Sequence, residues 1–119
     1  MKLRTALGSA LAALALVLPM AVPAQAAEGA FHYTYVDGFG QERLVDLHDP
    51  VSGKCVNLHG VGHDDVLPGY GPHNETDTAA TVYVGASCTG AEWRLRAHGR
   101  PARDDLELRS VRFDAPDAR

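Results

Sequence analysis

Several catalytic signatures are missing from this chain. It contains no Gly-x-Ser-x-Gly, no His-Glu-x-x-His, no glycine-rich phosphate loop after a strand and no Cys-x-x-Cys. Nothing in it therefore has the spacing of a nucleophile elbow, a zincin helix, a P-loop or a redox dithiol. A Ser-His-Asp triad is defined by geometry and stays open. Cations are scarce as well: between Ala27 and Ala91 only Arg43 and Lys54 face nine acids, and only from Glu92 onward do seven arginines outnumber six acids. An acidic protein is poorly matched to a phosphate backbone, which argues against nucleic acid as a partner. Arg94 and Arg96 alternate with Trp93 and Leu95, the pattern of a solvated strand face rather than of an anion site.

A long apolar run is also lacking. Ala6 to Leu18 is interrupted only by Gly8 and Ser9, but it is shorter than the roughly 20 residues that span a bilayer. The basic Met1-Lys2-Leu3-Arg4 precedes it, and Pro19, Pro23 and the small-x-small Ala24-Gln25-Ala26 follow. This is the grammar of a secretory signal peptide over residues 1–26, cut before Ala27, with no Cys nearby to accept a lipid. What remains is 93 residues, enough for one small domain over 27–113 and a polar, frayed tail at 114–119. Loss of Lys2 and Arg4 with the leader takes the net charge from −4 to −6. The expected product is a secreted monomer with no membrane attachment.

Cysteine is limited to Cys55 and Cys88, both after the leader. An even pair in an exported chain reads as one disulfide rather than as a catalytic or metal-binding thiol pair. Closing the 34 residues from Cys55 to Cys88 is worth roughly 3 to 4 kcal/mol, which matters in a domain with a marginal core.

What is present is strand patterning. Phe31, Tyr33 and Tyr35 alternate with His32, Thr34 and Val36; Asp37-Gly38-Phe39-Gly40 reads as a turn; Gln41 to Leu47 is a second strand. Asp49 to Gly53 is another turn, and Cys55 to His59 a third strand. Ala80, Val82 and Val84 mark a fourth, Trp93 and Leu95 a fifth, and Leu106 to Phe113 a sixth. Six or more short strands without a helix predict an all-β antiparallel sandwich. Gly60 to Thr78 has four glycines, two prolines and no apolar period, so it reads as the long connection of the domain. Val66, Leu67, Pro68 and Tyr70 within it either fold back onto the sandwich or form an exposed binding loop.

Tyr83, Cys88, Gly90 and Ser110 bring in a family. An aromatic, a large side chain five positions on, a glycine two beyond that and a serine in the last strand resemble the Greek key motif of the βγ-crystallin superfamily. Through the resemblance, Tyr83 would fold over the hairpin, Gly90 would allow its tight bend, and Ser110 would pack against it from the last strand. The match runs from about Asn74 to Phe113; Tyr33, Tyr35, Gly38, Phe39 and Gly40 lie near the corresponding first motif but off its spacing. The whole looks like small secreted actinomycete proteins, among which are metalloprotease inhibitors and a killer-toxin-like protein.

Microbial members of that family often hold Ca²⁺ through paired Asp or Asn followed by hydroxyl residues. The matching positions here are Asp105, Leu106, Glu107, Leu108, Arg109 and Ser110, where Leu106 removes an oxygen ligand and Arg109 brings a cation, so the site reads as degenerate. His59, His63 and Asp64 are the residue types of a transition-metal site, but their glycine-rich surroundings favour a solvated loop. The expectation is therefore a non-catalytic secreted binding protein without cofactor. Its partner would be an extracellular protein such as a secreted protease, with a toxin or a small hydrolase as rivals.

Overall fold

The structure is a computed structural model that describes residues 25–116. The leader up to position 24 and tail residues 117–119 lie outside the described residues. Eight strands follow one another as β1 (Gly29–Val36), β2 (Glu42–His48), β3 (Cys55–Asn57), β4 (Gly69–Thr76), β5 (Ala80–Tyr83), β6 (Glu92–Leu95), β7 (Glu107–Leu108) and β8 (Ser110–Phe113). They build two antiparallel four-stranded sheets, ordered β2-β1-β4-β7 and β3-β8-β5-β6. The two halves of the chain repeat one plan. Each keeps its first, second and fourth strands in one sheet and sends its third across to the other. Among the described residues no helix is long and apolar enough to cross a membrane.

The predicted alternation of β1 is realised. Phe31 and Tyr33 are fully buried, while His32 and Thr34 turn to the outer face. The tight turn after β1 is held by Asp37, whose carboxylate accepts from the amides of Phe39 (2.8 Å) and Gln41 (3.0 Å) and from Arg43 Nε (2.8 Å). The Gln41 amide first, and Arg43 with it, hold the Asp37 carboxyl below its ordinary value. Phe31, Tyr33, Leu58, Val61, Ala80, Val82, Leu108, Val111 and Phe113, with Ala27, form one core between the sheets. Phe31 and Phe113 meet edge to face across it at 5.3 Å, the geometry aromatic quadrupoles favour.

Three features depart from the sequence reading. The segment from Gly60 to Thr78 is not one connection, because Gly69–Thr76 is strand β4, hydrogen-bonded to β1 inside its sheet. Its buried positions are Gly69, Pro72, Asn74 and Thr76, so no apolar period announces it. Their polar atoms are satisfied locally: Asn74 Nδ2 donates to the carbonyls of Thr78 (2.8 Å) and Arg96 (2.9 Å), and Thr76 Oγ1 to Asn74 Oδ1 (2.7 Å). The run from Leu106 to Phe113 is two strands. β7 pairs with β4 in one sheet and β8 with β3 and β5 in the other, so the chain changes sheet at Arg109. The tail is tied at its start: the Asp114 amide donates to Ala79 O (2.9 Å) and its carboxylate accepts from Arg94 (2.5 Å).

The Cys55–Cys88 disulfide is present, with Cα atoms 5.9 Å apart, and links β3 to the loop after β5. Tyr33 is the largest fully buried side chain. Its hydroxyl donates to His59 O (2.9 Å), and burial pushes the phenol up to about 12 from 10.0. The native form is the neutral phenol, so its contribution to stability is whole below pH 10 and is lost as pH rises from 10 towards 12. Between pH 9 and pH 11 the wild-type protein should lose about 1.4 kcal/mol more unfolding free energy than Tyr33→Phe, as one pKa unit is worth about that much. Near pH 7 the variant should be about 1 kcal/mol less stable, for the lost hydrogen bond. Urea unfolding across this pH range checks both expectations.

Candidate functional site

Two loops share one end of the sandwich, the β1–β2 turn at Asp37–Gly40 and the connection over residues 60–68. The second starts where only glycine fits. Gly60 has φ +81°, and a Cβ there would come within 2.5 Å of the Tyr35 ring. From that point the chain is fastened by a side chain from the junction between β7 and β8. Arg109 donates to the carbonyls of His63 (3.1 Å), Val66 (2.6 Å) and Val84 (2.8 Å). Asp64 accepts from the Ala86 amide (2.9 Å), tying the same loop to the one that carries Cys88. One guanidinium thus spends its fork on three backbone carbonyls, a use for which a planar multiple donor is suited and a lysine is not.

The fastened loop presents apolar side chains outward. Leu67 is 69% exposed and Val66 38%, while Phe39 on the neighbouring turn is 90% exposed. The loop shares with the end of β1 and the turn after it a cleft of about 460 Å³ lined by Tyr35, Val36, Asp37, Gly38, Gly60, Val66 and Leu67. Of the four residues anticipated for a binding loop, Val66 and Leu67 stand at this tip. Pro68 leads into β4. Tyr70 belongs to β4 itself, on the outer sheet face, where its hydroxyl donates to Glu42. Phe39 was hidden from the sequence reading by its place between two glycines.

The other anticipated residues divide. Ser110 is buried and bridges to the loop after β5: its Oγ accepts from the Cys88 amide (2.8 Å) and donates to Gly85 O (2.6 Å). Gly90 sits at φ +84° with Val84 packed where a side chain would go, so the hairpin bend requires it. Tyr83 pairs with both Glu92 and Ser110 across the sheet. His59 lies edge-on to Tyr35 and Asp64 accepts from the Ala86 amide; among the described residues, the cluster of three whose ligand atoms come together is formed by His32, His73 and Glu75 and not by His59, His63 and Asp64. At Asp105, the carboxylate is paired with Arg103 (2.7 Å).

A polar cluster that the sequence reading did not assemble lies on the outer face of the first sheet. His32 on β1 is the register partner of Asp46 on β2 and of His73 on β4, and Glu75 stands two residues beyond His73 on the same face. His32 lies 2.5 Å from Asp46 and 2.6 Å from Glu75 through its two ring nitrogens. Burial disfavours its charged form, yet the two carboxylates outweigh that and hold the ring above its ordinary 6.5. His73 Nδ1 is 3.7 Å from the same Glu75 oxygen. Strand pairing makes this cluster: His73 and Glu75 are near neighbours on β4, but His32 and Asp46 reach them only through the register.

Comparison of the chain with protein-family models, with curated proteins and with solved structures gives no match.

The Arg109 clamp makes a specific expectation. Arg109→Ala should lower stability by roughly 2 kcal/mol, since hydrogen bonds to a charged group are each worth about 1.5 to 3 and do not add. Its amide exchange should quicken over residues 61–68 while β1 and β2 keep their protection. Exchange read by mass spectrometry distinguishes this from a uniform loss.

Proposed function

We propose that this chain is a non-catalytic extracellular binding protein, built on a pair of Greek keys of the βγ-crystallin type, and that its target is a secreted protease. The strand plan supports the fold assignment. In each half the fourth strand returns beside the first and the second lies on the first's other side, the spatial order of a Greek key with its third strand given to the opposite sheet. The contacts of Ser110 and the bend at Gly90 correspond to the roles of the family's serine and glycine. Export is supported by the leader pattern and by the Cys55–Cys88 bridge, which belongs to oxidising compartments.

The observation that carries the functional reading is the tip loop. It shows Leu67 to solvent while its carbonyls are held from behind by Arg109. A loop already ordered before binding loses little conformational freedom on association, and an exposed leucine on such a loop fits the apolar specificity pocket of a protease. Arg109 places a fixed positive charge among carbonyls beside the position of the family's Ca²⁺ site, which supports reading that site as degenerate.

Purified mature protein incubated with secreted metallo- and serine proteases should depress the activity of at least one of them. Leu67→Ser combined with Phe39→Ser should weaken that inhibition by a factor of roughly 30 or more, the loss of about 2 kcal/mol typical of an anchor residue. Its melting temperature should stay unchanged, because both side chains are exposed. Absence of inhibition with killing of neighbouring cells would replace this reading by a toxin, and turnover of an ester, peptide or glycan by an enzyme. Millimolar Ca²⁺ should leave the melting temperature where it is.

A further inference from the structure

The outer-face cluster has the construction of a divalent metal site. We propose that His32, His73 and Glu75 bind one late first-row transition ion, with Zn²⁺ as the fitting case, and that Asp46 and the Gly99 carbonyl are the outer partners that aim the two rings.

The orientation of the imidazoles carries the argument. The segment after β6 runs along the free edge of β4: the amides of His98, Gly99 and Ala102 donate to the carbonyls of Thr76, Asn74 and Pro72. This brings Gly99 O within 2.9 Å of His73 Nε2. A carbonyl only accepts, so Nε2 carries the hydrogen and the lone pair of the neutral ring lies on Nδ1, the atom that faces Glu75. On His32 the Asp46 carboxylate accepts from Nδ1, which leaves Nε2 as the atom that faces Glu75. Both rings are thus held at their far nitrogen by an acceptor and turn the near nitrogen to one carboxylate. A carboxylate or carbonyl on the remote imidazole nitrogen is the arrangement that fixes tautomer and ring direction in metal sites.

The distances suit a small ion. The candidate ligand atoms of His32, His73 and Glu75 all lie within 4.8 Å of one another. Bonds of about 2.0 to 2.1 Å in a tetrahedron put ligand atoms roughly 3.3 Å apart. The 3.7 Å between His73 Nδ1 and Glu75 Oε1 is close to that, and the 2.6 Å between His32 Nε2 and Glu75 has only to open as the ion replaces the hydrogen between them. Glu75 has room to move, with its side chain half exposed, whereas His32 and His73 are about a quarter exposed. Two nitrogens and one carboxylate oxygen leave a fourth position to water, and this donor set prefers Zn²⁺, Cu²⁺, Ni²⁺ or Co²⁺ to the oxygen-seeking Ca²⁺ and Mg²⁺. Both cysteines are locked in the disulfide and offer no competing thiolate. The site lies on the sheet face, apart from the Leu67 tip, and stands whether or not that tip binds a protease.

Titration of the oxidised, mature protein with ZnCl₂ in a non-chelating buffer, followed by calorimetry, should give saturable uptake of one ion per chain that excess Mg²⁺ or Ca²⁺ does not displace. Co²⁺ in its place should develop the visible absorption of a four-coordinate site. His32→Gln and His73→Gln should each abolish the one-to-one uptake, and Glu75→Gln should do the same if either histidine variant fails to fold. Asp46→Asn should keep the stoichiometry and the Co²⁺ spectrum but weaken binding by about 10- to 100-fold, the usual effect of losing an outer partner. His59→Gln plus His63→Gln should bind like the wild type. No saturable uptake, uptake unchanged in His32→Gln and His73→Gln, or uptake lost in the His59 and His63 variant would overturn the assignment.

Discussion

The last strand is the constraint on which the two halves of this molecule depend. β8 is only four residues long, yet it lies between β3 and β5, which belong to different halves of the chain. Val111 and Phe113 face the core, and between them and Arg109 the buried Ser110 hydroxyl reaches the loop after β5. Arg109, immediately before it, turns outward to gather three carbonyls from two segments, those of His63 and Val66 in one loop and that of Val84 after β5. The disulfide adds a covalent tie at the same place, because Cys55 pairs with Arg112 across the ladder while Cys88 gives its amide to Ser110. Loop closure over these long sequence separations is costly in chain entropy, and this group of contacts is where it is recovered.

The same architecture separates two surfaces with different chemistry. Because the core takes one face of each sheet, the outer face of β2-β1-β4 is left mainly to polar side chains, and cross-strand register sets Asp46, His32 and His73 in a row. Of the large apolar side chains left outside the core, Phe39, Val66 and Leu67 stand at the loop end, where Val66 and Leu67 line a cleft, while Leu44 is exposed on β2. Trp93, 59% exposed, stands apart from both on the edge strand β6, beside a groove of about 400 Å³ that also takes in Leu95 and Leu106.

How much of this was legible follows from what each element buries. β1 and β5 show their strand character in sequence since Phe31 and Tyr33 alternate with His32 and Thr34, and Ala80 and Val82 with Thr81 and Tyr83. The disulfide was legible from an even pair of cysteines in a chain with a leader pattern. β4 was not, because its inner face is made of Pro72, Asn74 and Thr76, and a polar network can fill a core position without leaving a hydrophobic period. The break at Arg109 is written in the sequence as a change of phase: the apolar positions are Leu106 and Leu108 before it and Val111 and Phe113 after it, so the alternation slips by one residue across Arg109 and Ser110, where the hydrogen-bond partners change. Val66 and Leu67 were found by composition; Phe39 lies in the β1–β2 turn, where a lone aromatic between glycines carries no sign of its exposure, and the meeting of His32 with His73 and Glu75 depends on register between strands, which no spacing rule encodes.

Native-state amide exchange of Ser110→Ala bears most directly on the claim that β8 closes the fold. The substitution removes a buried hydroxyl and leaves Gly85 O and the Cys88 amide unpaired, a cost of roughly 2 to 3 kcal/mol. If β8 ties the halves, protection should fall together at Cys88 and at the β3 amides that pair with β8, whereas β1 and β2 should keep most of theirs. Loss confined to the Cys88 amide, with β3 and β5 as protected as in the wild type, would contradict the account.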